Sequence, residues 1–331
     1  METRVLGRTG IAVSRMGLGM AALGRPGYIN LGHAGDLRRA YMPEHMEAHS
    51  HTVLDAAWAA GITYFDAARS YGRGEQFLSS WLNRRQLPPG QAAAGSKWGY
   101  TYTAGWQVDA PVHEVKDHSL EVLRRQWAES STLLRPWLRL YQIHSATLES
   151  GVLERAGVLE ALAELKTEGI SVGLSLSGSG QADTLRRALD IRIGGQPLFD
   201  AVQATWNLLE PSAGPALAEA HAAGMGIVVK EALANGRLTP RNTDPAYTAR
   251  LALLQAESHA LGVSADALAL AAVLAQPWAD VVLSGAATAD QLYSNLAAMR
   301  LHPDSGLLGR LEALAEPAQA YWDYRKAMPW N

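Results

Sequence analysis

The chain has 331 residues, 29 basic and 32 acidic side chains for a formal net charge of −3, 48% hydrophobic residues and no cysteine. That is enough apolar material for one or two cores, and it excludes disulfide scaffolds, thiolate metal sites and cysteine nucleophiles. No block of like charge offers a footprint for nucleic acid or an anionic membrane, the first residues lack the long apolar run expected of a signal peptide, and the longest apolar stretches elsewhere, such as ADALALAAVLA, are too short to span a bilayer.

The expected setting is therefore a cytoplasmic protein that acts on a small molecule, with no metal and no nucleic-acid or membrane partner; the oligomeric state stays open. In chain order, residues 4–6 and 11–13 flank Gly7-Arg8-Thr9-Gly10 as a β-hairpin. Short apolar runs then alternate with segments of helical period. Strands are expected at 15–20, 62–67, 92–98, 138–144, 170–176, 200–205, 226–231 and 280–285, with helices at 46–59, 75–83, 114–134, 157–168, 181–189, 215–223, 246–275 and 289–298. Eight strand-then-helix units without a linker fit one α/β domain over 1–331, a (β/α)8 TIM barrel with an N-terminal hairpin and a C-terminal tail over the barrel mouth.

Gly17-Leu18-Gly19-Met20-Ala21-Ala22 matches G-x-G-x-x-A, the pattern of an open-sheet dinucleotide fold. Gly24, Pro26 and Gly27 break the helix that such a fold requires, and no acidic residue ends the next strand at the right interval to hold a ribose. A barrel strand leading into a loop is the better reading. His45, His49 and His51 place an i, i+4 pair on a predicted outer helix, which without a third ligand makes no zinc site.

In such a barrel, chemistry belongs to the C-terminal ends of strands. The second strand ends in Tyr64-Phe65-Asp66-Ala67-Ala68-Arg69-Ser70-Tyr71-Gly72, the third in Ser96-Lys97-Trp98-Gly99 and the fourth in Tyr141-Gln142-Ile143-His144-Ser145. Asp66, Lys97 and His144 then project into one mouth, with Tyr71 on the loop above. This set suits proton transfer to a carbonyl oxygen: a tyrosine hydroxyl beside an ammonium that lowers its pKa, an aspartate that aims the lysine, and a neutral histidine that orients the oxygen.

FDAARSYG, SKWG and LYQIHS resemble the signatures of the aldo-keto reductase family, as do the hairpin, GLG on the first strand, FDAVQATWN on the sixth and VVLSGAATADQLYSNLAA at the eighth. The resemblance implies a catalytic tetrad of Asp66, Tyr71, Lys97 and His144. It also implies a nicotinamide cofactor, NAD or NADP, lying across the mouth near Gly19, Met20, Asp66, Ser175, Gln203, Lys230, Leu233, Gly285, Gln291 and Asn295. The chain departs from the family pattern at Leu176, where an asparagine is usual and Ser177 could substitute, and at Lys230, where an aromatic often stands. The places that commonly clamp the 2′-phosphate hold Gly285, Ala286 and Gln291, none charged, so no strong NADP preference is expected; Arg300 is the nearest alternative cation.

The implied function is NAD(P)-dependent oxidoreduction of a carbonyl compound or its alcohol. A cofactor-binding regulatory subunit and a lyase using Lys97 as a Schiff base are the alternatives. Two long loops, 21–43 and 98–111, should overhang the mouth. The second carries Trp98, Tyr100, Tyr102 and Trp106 without a cation, the tail adds Trp322, Tyr324 and Trp330, and the first loop offers Arg25, Arg38 and Arg39. A neutral aldehyde, ketone or sugar-like substrate is expected.

Overall fold

A computed structural model describes residues 1–331. In chain order the strands are β1 (Thr3–Val5), β2 (Ala12–Ser14), β3 (Met16–Gly19), β4 (Tyr64–Asp66), β5 (Ala93–Trp98), β6 (Tyr100–Tyr102) and β7 (Glu114–Lys116). They continue as β8 (Leu138–Ala146), β9 (Ser171–Leu176), β10 (Arg192–Ile193), β11 (Gln196–Pro197), β12 (Ala201–Thr205), β13 (Gly226–Lys230) and β14 (Val281–Ser284). Eight of them, in the order β3, β4, β5, β8, β9, β12, β13, β14, close into a parallel barrel. The expected (β/α)8 fold is present.

The helices are α1 (His33–Asp36), α2 (Pro43–Ala59), α3 (Gly74–Arg84), α4 (Leu120–Leu134), α5 (Ala156–Thr167) and α6 (Gln181–Leu189). After them come α7 (Gly214–Ala222), α8 (Thr248–Ala260), α9 (Ala265–Leu274), α10 (Ala289–Leu296), α11 (Ser305–Leu311) and α12 (Ala318–Ala327). No single helix is long and apolar enough to cross a membrane.

Barrel strands such as Ser171–Leu176 are almost wholly buried because side chains fill the barrel from inside and helices cover it from outside. The β1–β2 hairpin seals the bottom: Leu6, Ile11 and Val13 pack with Tyr64, Leu140, Ala201, Val228 and Val281 as one apolar layer. Polar side chains are left for the opposite end.

Two expectations are corrected. Residues 114–116 do not begin the fourth helix; they form β7, which pairs antiparallel with β6 as a flap outside the barrel. The helix starts after Ser119, whose Oγ accepts a hydrogen bond from the Val122 amide as an N-cap. The region 246–275 is two helices bent by 86°, because Gly262 and the Ser264 N-cap end one and start the next.

Inside the barrel, β4 and β5 touch through Gly95, where an added Cβ would lie 2.3 Å from the Tyr64 hydroxyl. Gly95→Ala should therefore destabilise the fold by about 1–3 kcal/mol. Urea unfolding should show that loss, and adding Tyr64→Phe should recover part of it, since the removed hydroxyl is buried without a partner.

Candidate active site

The polar end of the barrel is built around Lys97, which β5 points inward beside β4. Lys97 and Asp66 are 1% and 2% exposed, and a charge so far from water persists only if it is paired. Lys97 Nζ donates to Asp66 Oδ2 at 2.5 Å, to the Ala67 carbonyl at 3.0 Å and to the Tyr71 hydroxyl at 3.3 Å. An ammonium has three protons, and all three are used. The other aspartate oxygen accepts Gln203 Nε2 at 2.8 Å, from β12 across the barrel.

Since the Tyr71 hydroxyl accepts from lysine, its own proton is free for another acceptor. Tyr71 is held by a backbone contact behind it: Gly72 has φ +58°, and a Cβ there would sit 2.5 Å from the Gly24 carbonyl oxygen. The Tyr71 and His144 rings meet edge to face at 5.6 Å between centroids. His144 Nδ1 lies 3.4 Å from Ser70 Oγ; an imidazole that accepts there keeps its proton on Nε2.

Burial, then Lys97 and Arg25, push His144 well below the usual histidine range, so it is neutral, as expected. The expectation for Tyr71 is reversed. Burial first and Asp66 second raise the phenol above its ordinary value, against a smaller pull from Arg25. Lys97, although 3.3 Å from the hydroxyl, does not reverse this rise. In this state Tyr71 is a proton-loaded acid.

These groups open onto a cavity of about 1140 Å³, somewhat larger than the roughly 300–1,000 Å³ of most small-molecule sites. Gly19, Asp66, Tyr71, His144, Gln203, Lys230, Leu233, Gly285, Gln291 and Asn295 line it. Met20, Ser175 and Lys97 do not. Met20 is buried below, and Ser175 Oγ accepts from the Ser145 amide at 2.9 Å within the barrel wall, while Ser177 faces the cavity.

At the far end, Gln291 Oε1 accepts from the Ala287 amide and braces the start of α10, while Asn295 Nδ2 donates to Ser284 Oγ and ties the last turn of that helix to the end of β14. Asp266 and Asp290 line that end too; Arg300 does not. His49 bonds the Ala287 carbonyl and His51 bonds Ser80 Oγ, which makes them struts between helices. No group of three His, Asp or Glu side chains stands close enough to hold a metal.

The aromatic loop mostly packs. Trp98 is fully buried, Trp106 donates to the Tyr41 carbonyl, and only Tyr100 of that loop reaches the cavity. From the tail Trp322 and Trp330 line it, while Tyr324 packs on Arg237. Arg25 lines it as well, whereas Arg38 and Arg39 stay outside and exposed.

Lys230 and Glu231 are more than a local pair. Lys230 Nζ donates to Thr205 Oγ1 at 2.6 Å and lies 3.8 Å from Glu231, whose other oxygen takes Arg325 of α12 at 2.5 Å. Burial brings Lys230 down to about 8, with Glu231 opposing. Burial would raise Glu231, but Arg325 and Lys230 outweigh it and hold the carboxyl at about 2. Arg325 is a cavity residue that the sequence reading did not find, since no local pattern marks a tail residue that reaches a barrel strand 94 positions away.

With its carboxyl depressed in the fold, Glu231 contributes stability above its ordinary value of 4.5, lost as pH falls from 4.5 through about 2. Arg325→Met should lower stability near neutrality and flatten that acid-side slope. Thermal melts of both proteins across this pH range would check it; parallel curves would contradict it.

A model of the Aldo/keto reductase family matches residues 15–316. The chain is 26% identical over 332 residues to L-galactose dehydrogenase of Arabidopsis thaliana, covering 96% of each protein. It is 29% identical over 219 residues to pyridoxal 4-dehydrogenase of Microbacterium luteolum, covering 57% of this chain and 58% of that relative, under two thirds of its length. In three dimensions it is similar to the holo form of aldo-keto reductase AKR11C1 from Bacillus halodurans, with a TM-score of 0.73, 23% identity and coverage of 96% and 97%.

Proposed function

The chain belongs to the aldo/keto reductase family, and we propose that it interconverts a neutral aldehyde, ketone or sugar-like carbonyl with its alcohol, using NAD(P) and Tyr71 as the proton donor and acceptor. The unit proposed is one barrel domain over residues 1–331, acting in the cytoplasm. One observation carries the assignment: Lys97 spends its third proton on the Tyr71 hydroxyl, which leaves the phenolic proton for a ligand beside His144. Relatives named for galactose and pyridoxal, both neutral carbonyl compounds, support the substrate class.

The donor set along the cavity fits a dinucleotide. Lys230, whose nearest carboxylate oxygen is 3.8 Å away, suits a diphosphate, while Asp266 and Asp290 suit the hydroxyl and amino groups of a nucleoside. When bound, the nicotinamide supplies or accepts the hydride. Tyr71 gives its proton to the carbonyl oxygen, Lys97 faces the phenolate left behind, and neutral His144 donates to the same oxygen and fixes its position. In the reverse direction Tyr71 must first lose its proton, so alcohol oxidation should rise with pH.

Lys97 does not line the cavity and its three protons are taken, which speaks against a Schiff base. Cations near Tyr71 are matched: Arg25 by Glu114, and Arg325 by Glu231. A neutral substrate follows from that balance.

Tyr71→Phe should cut carbonyl turnover by about a hundredfold or more while leaving the nucleotide dissociation constant within about threefold. Steady-state rates and fluorescence titration with NADH would check both; a variant as active as the parent removes Tyr71 from the reaction. For the nucleotide, the carboxylates of Asp266 and Asp290, with the uncharged Gly285, Ala286 and Gln291, predict that NADPH binds no tighter than NADH. An NADPH constant more than about tenfold below that of NADH, roughly 1.4 kcal/mol, would contradict this.

A further inference from the structure

Arg25 stands in the cavity wall with its guanidinium 5.3 Å from the Tyr71 ring centroid, 5.3 Å from Tyr28 and 4.7 Å from Trp330. Its side chain is 4% exposed. Nη1 donates to the Ser70 carbonyl and to Glu114 Oε2, each at 3.0 Å. Nε is buried without a partner, and no hydrogen bond engages Nη2. A guanidinium with spare donors beside a proton-donating phenol is what a carboxylate or phosphate on the substrate would seek. Only Glu114 opposes it.

Glu114 is 24% exposed, lines the same cavity and comes from β7 in the flap. The flap carries Tyr100 from β6, whose ring lies 5.0 Å from that of His144, so it forms part of the wall facing the reacting groups. Arg25 and Glu114 also act on Tyr71 with opposite signs, one lowering and one raising its proton affinity.

We propose that Glu114 is a specificity-determining residue that masks Arg25, so that the pair reads the hydroxyl groups of a neutral substrate and turns anionic carbonyl compounds away. This rests on the proposed reductase function. A neutral hydroxylated molecule can accept from Nη2 of the arginine, its one unengaged donor not shut away from the cavity, and donate to the carboxylate, gaining from both. An anionic one gains from arginine but meets the glutamate, and must break the ion pair to do better.

Removing the mask should convert the preference. With 4-nitrobenzaldehyde and 4-carboxybenzaldehyde as a matched neutral and anionic pair, the parent should have the higher kcat/KM on the neutral one. Glu114→Gln should raise the anionic-to-neutral ratio by about tenfold or more, and Glu114→Ala, should the glutamine variant fold poorly, should move it the same way. Adding Arg25→Gln should remove the gain, which a merely structural glutamate would not predict. Dissociation constants of benzoate and benzamide, followed by protein fluorescence with nucleotide bound, should shift in parallel and need no turnover. A ratio that stays within about twofold in both assays, or a parent that already prefers the anions, overturns the mask. No turnover of either aldehyde by the parent, with benzoate binding gained in Glu114→Gln, instead counts against the reductase reading and leaves the mask standing.

Discussion

Everything at the mouth depends on one buried ion pair, Lys97 with Asp66, held 2.5 Å apart inside a closed barrel. Two charges removed from water are tolerable only when their remaining lone pairs and protons are satisfied. That condition recruits the other parts: the Ala67 carbonyl and Tyr71 hydroxyl for the lysine, and Gln203 from β12 for the aspartate. Because Gln203 reaches Asp66 across the barrel, closure of the sheet is a precondition of the site and not only its scaffold. The aspartate of this pair also bears on Tyr71, adding to burial in raising the proton affinity of the phenol.

A second set of ion pairs fastens the C-terminal segment. Arg325 of α12 binds Glu231 at the end of β13, and Arg237 binds Glu316 at 2.6 Å while lying 4.3 Å from the ring centroids of both Tyr247 and Tyr324. Farther on, Asn331 exchanges backbone hydrogen bonds with Tyr28 at 3.1 and 3.2 Å, and Trp330 stacks on His113 at 4.0 Å. The first loop, the flap and the tail thus meet over the barrel through contacts between segments distant in sequence. Arg241 and Asp36, joined by two hydrogen bonds of 2.6 and 2.7 Å, tie the first loop to the segment after β13.

What could be read from the sequence was what repeats or is local. Eight apolar runs ending in polar residues fixed the barrel, and strand-end positions brought Asp66, Lys97 and His144 together because neighbouring parallel strands end on one rim. Ser119 and Ser264 were available as caps, yet the helical pattern ran across both, in one case through Glu114–Lys116 and in the other through Gly262, between the Ala- and Leu-rich stretches on either side. The sign of the Tyr71 shift was out of reach, because it depends first on how deeply the phenol is buried and then on its distance from Asp66. So were the partners of Arg25 and Arg325, which come from positions 89 and 94 residues away. The tryptophans misled for a related reason: an aromatic in a loop looks the same whether it faces a cavity or, like Trp98, the core.

The two-stranded flap that holds Glu114 stands outside the barrel and shares no strand pairing with it. The residues proposed for proton transfer stand on barrel strands and the turn after β4, whereas the proposed charge selection rests on a small appendage. A duplicated copy of such a gene would have a short route to new substrates, because exchanging a few residues of the flap changes the clientele while the acid that serves it stays in place.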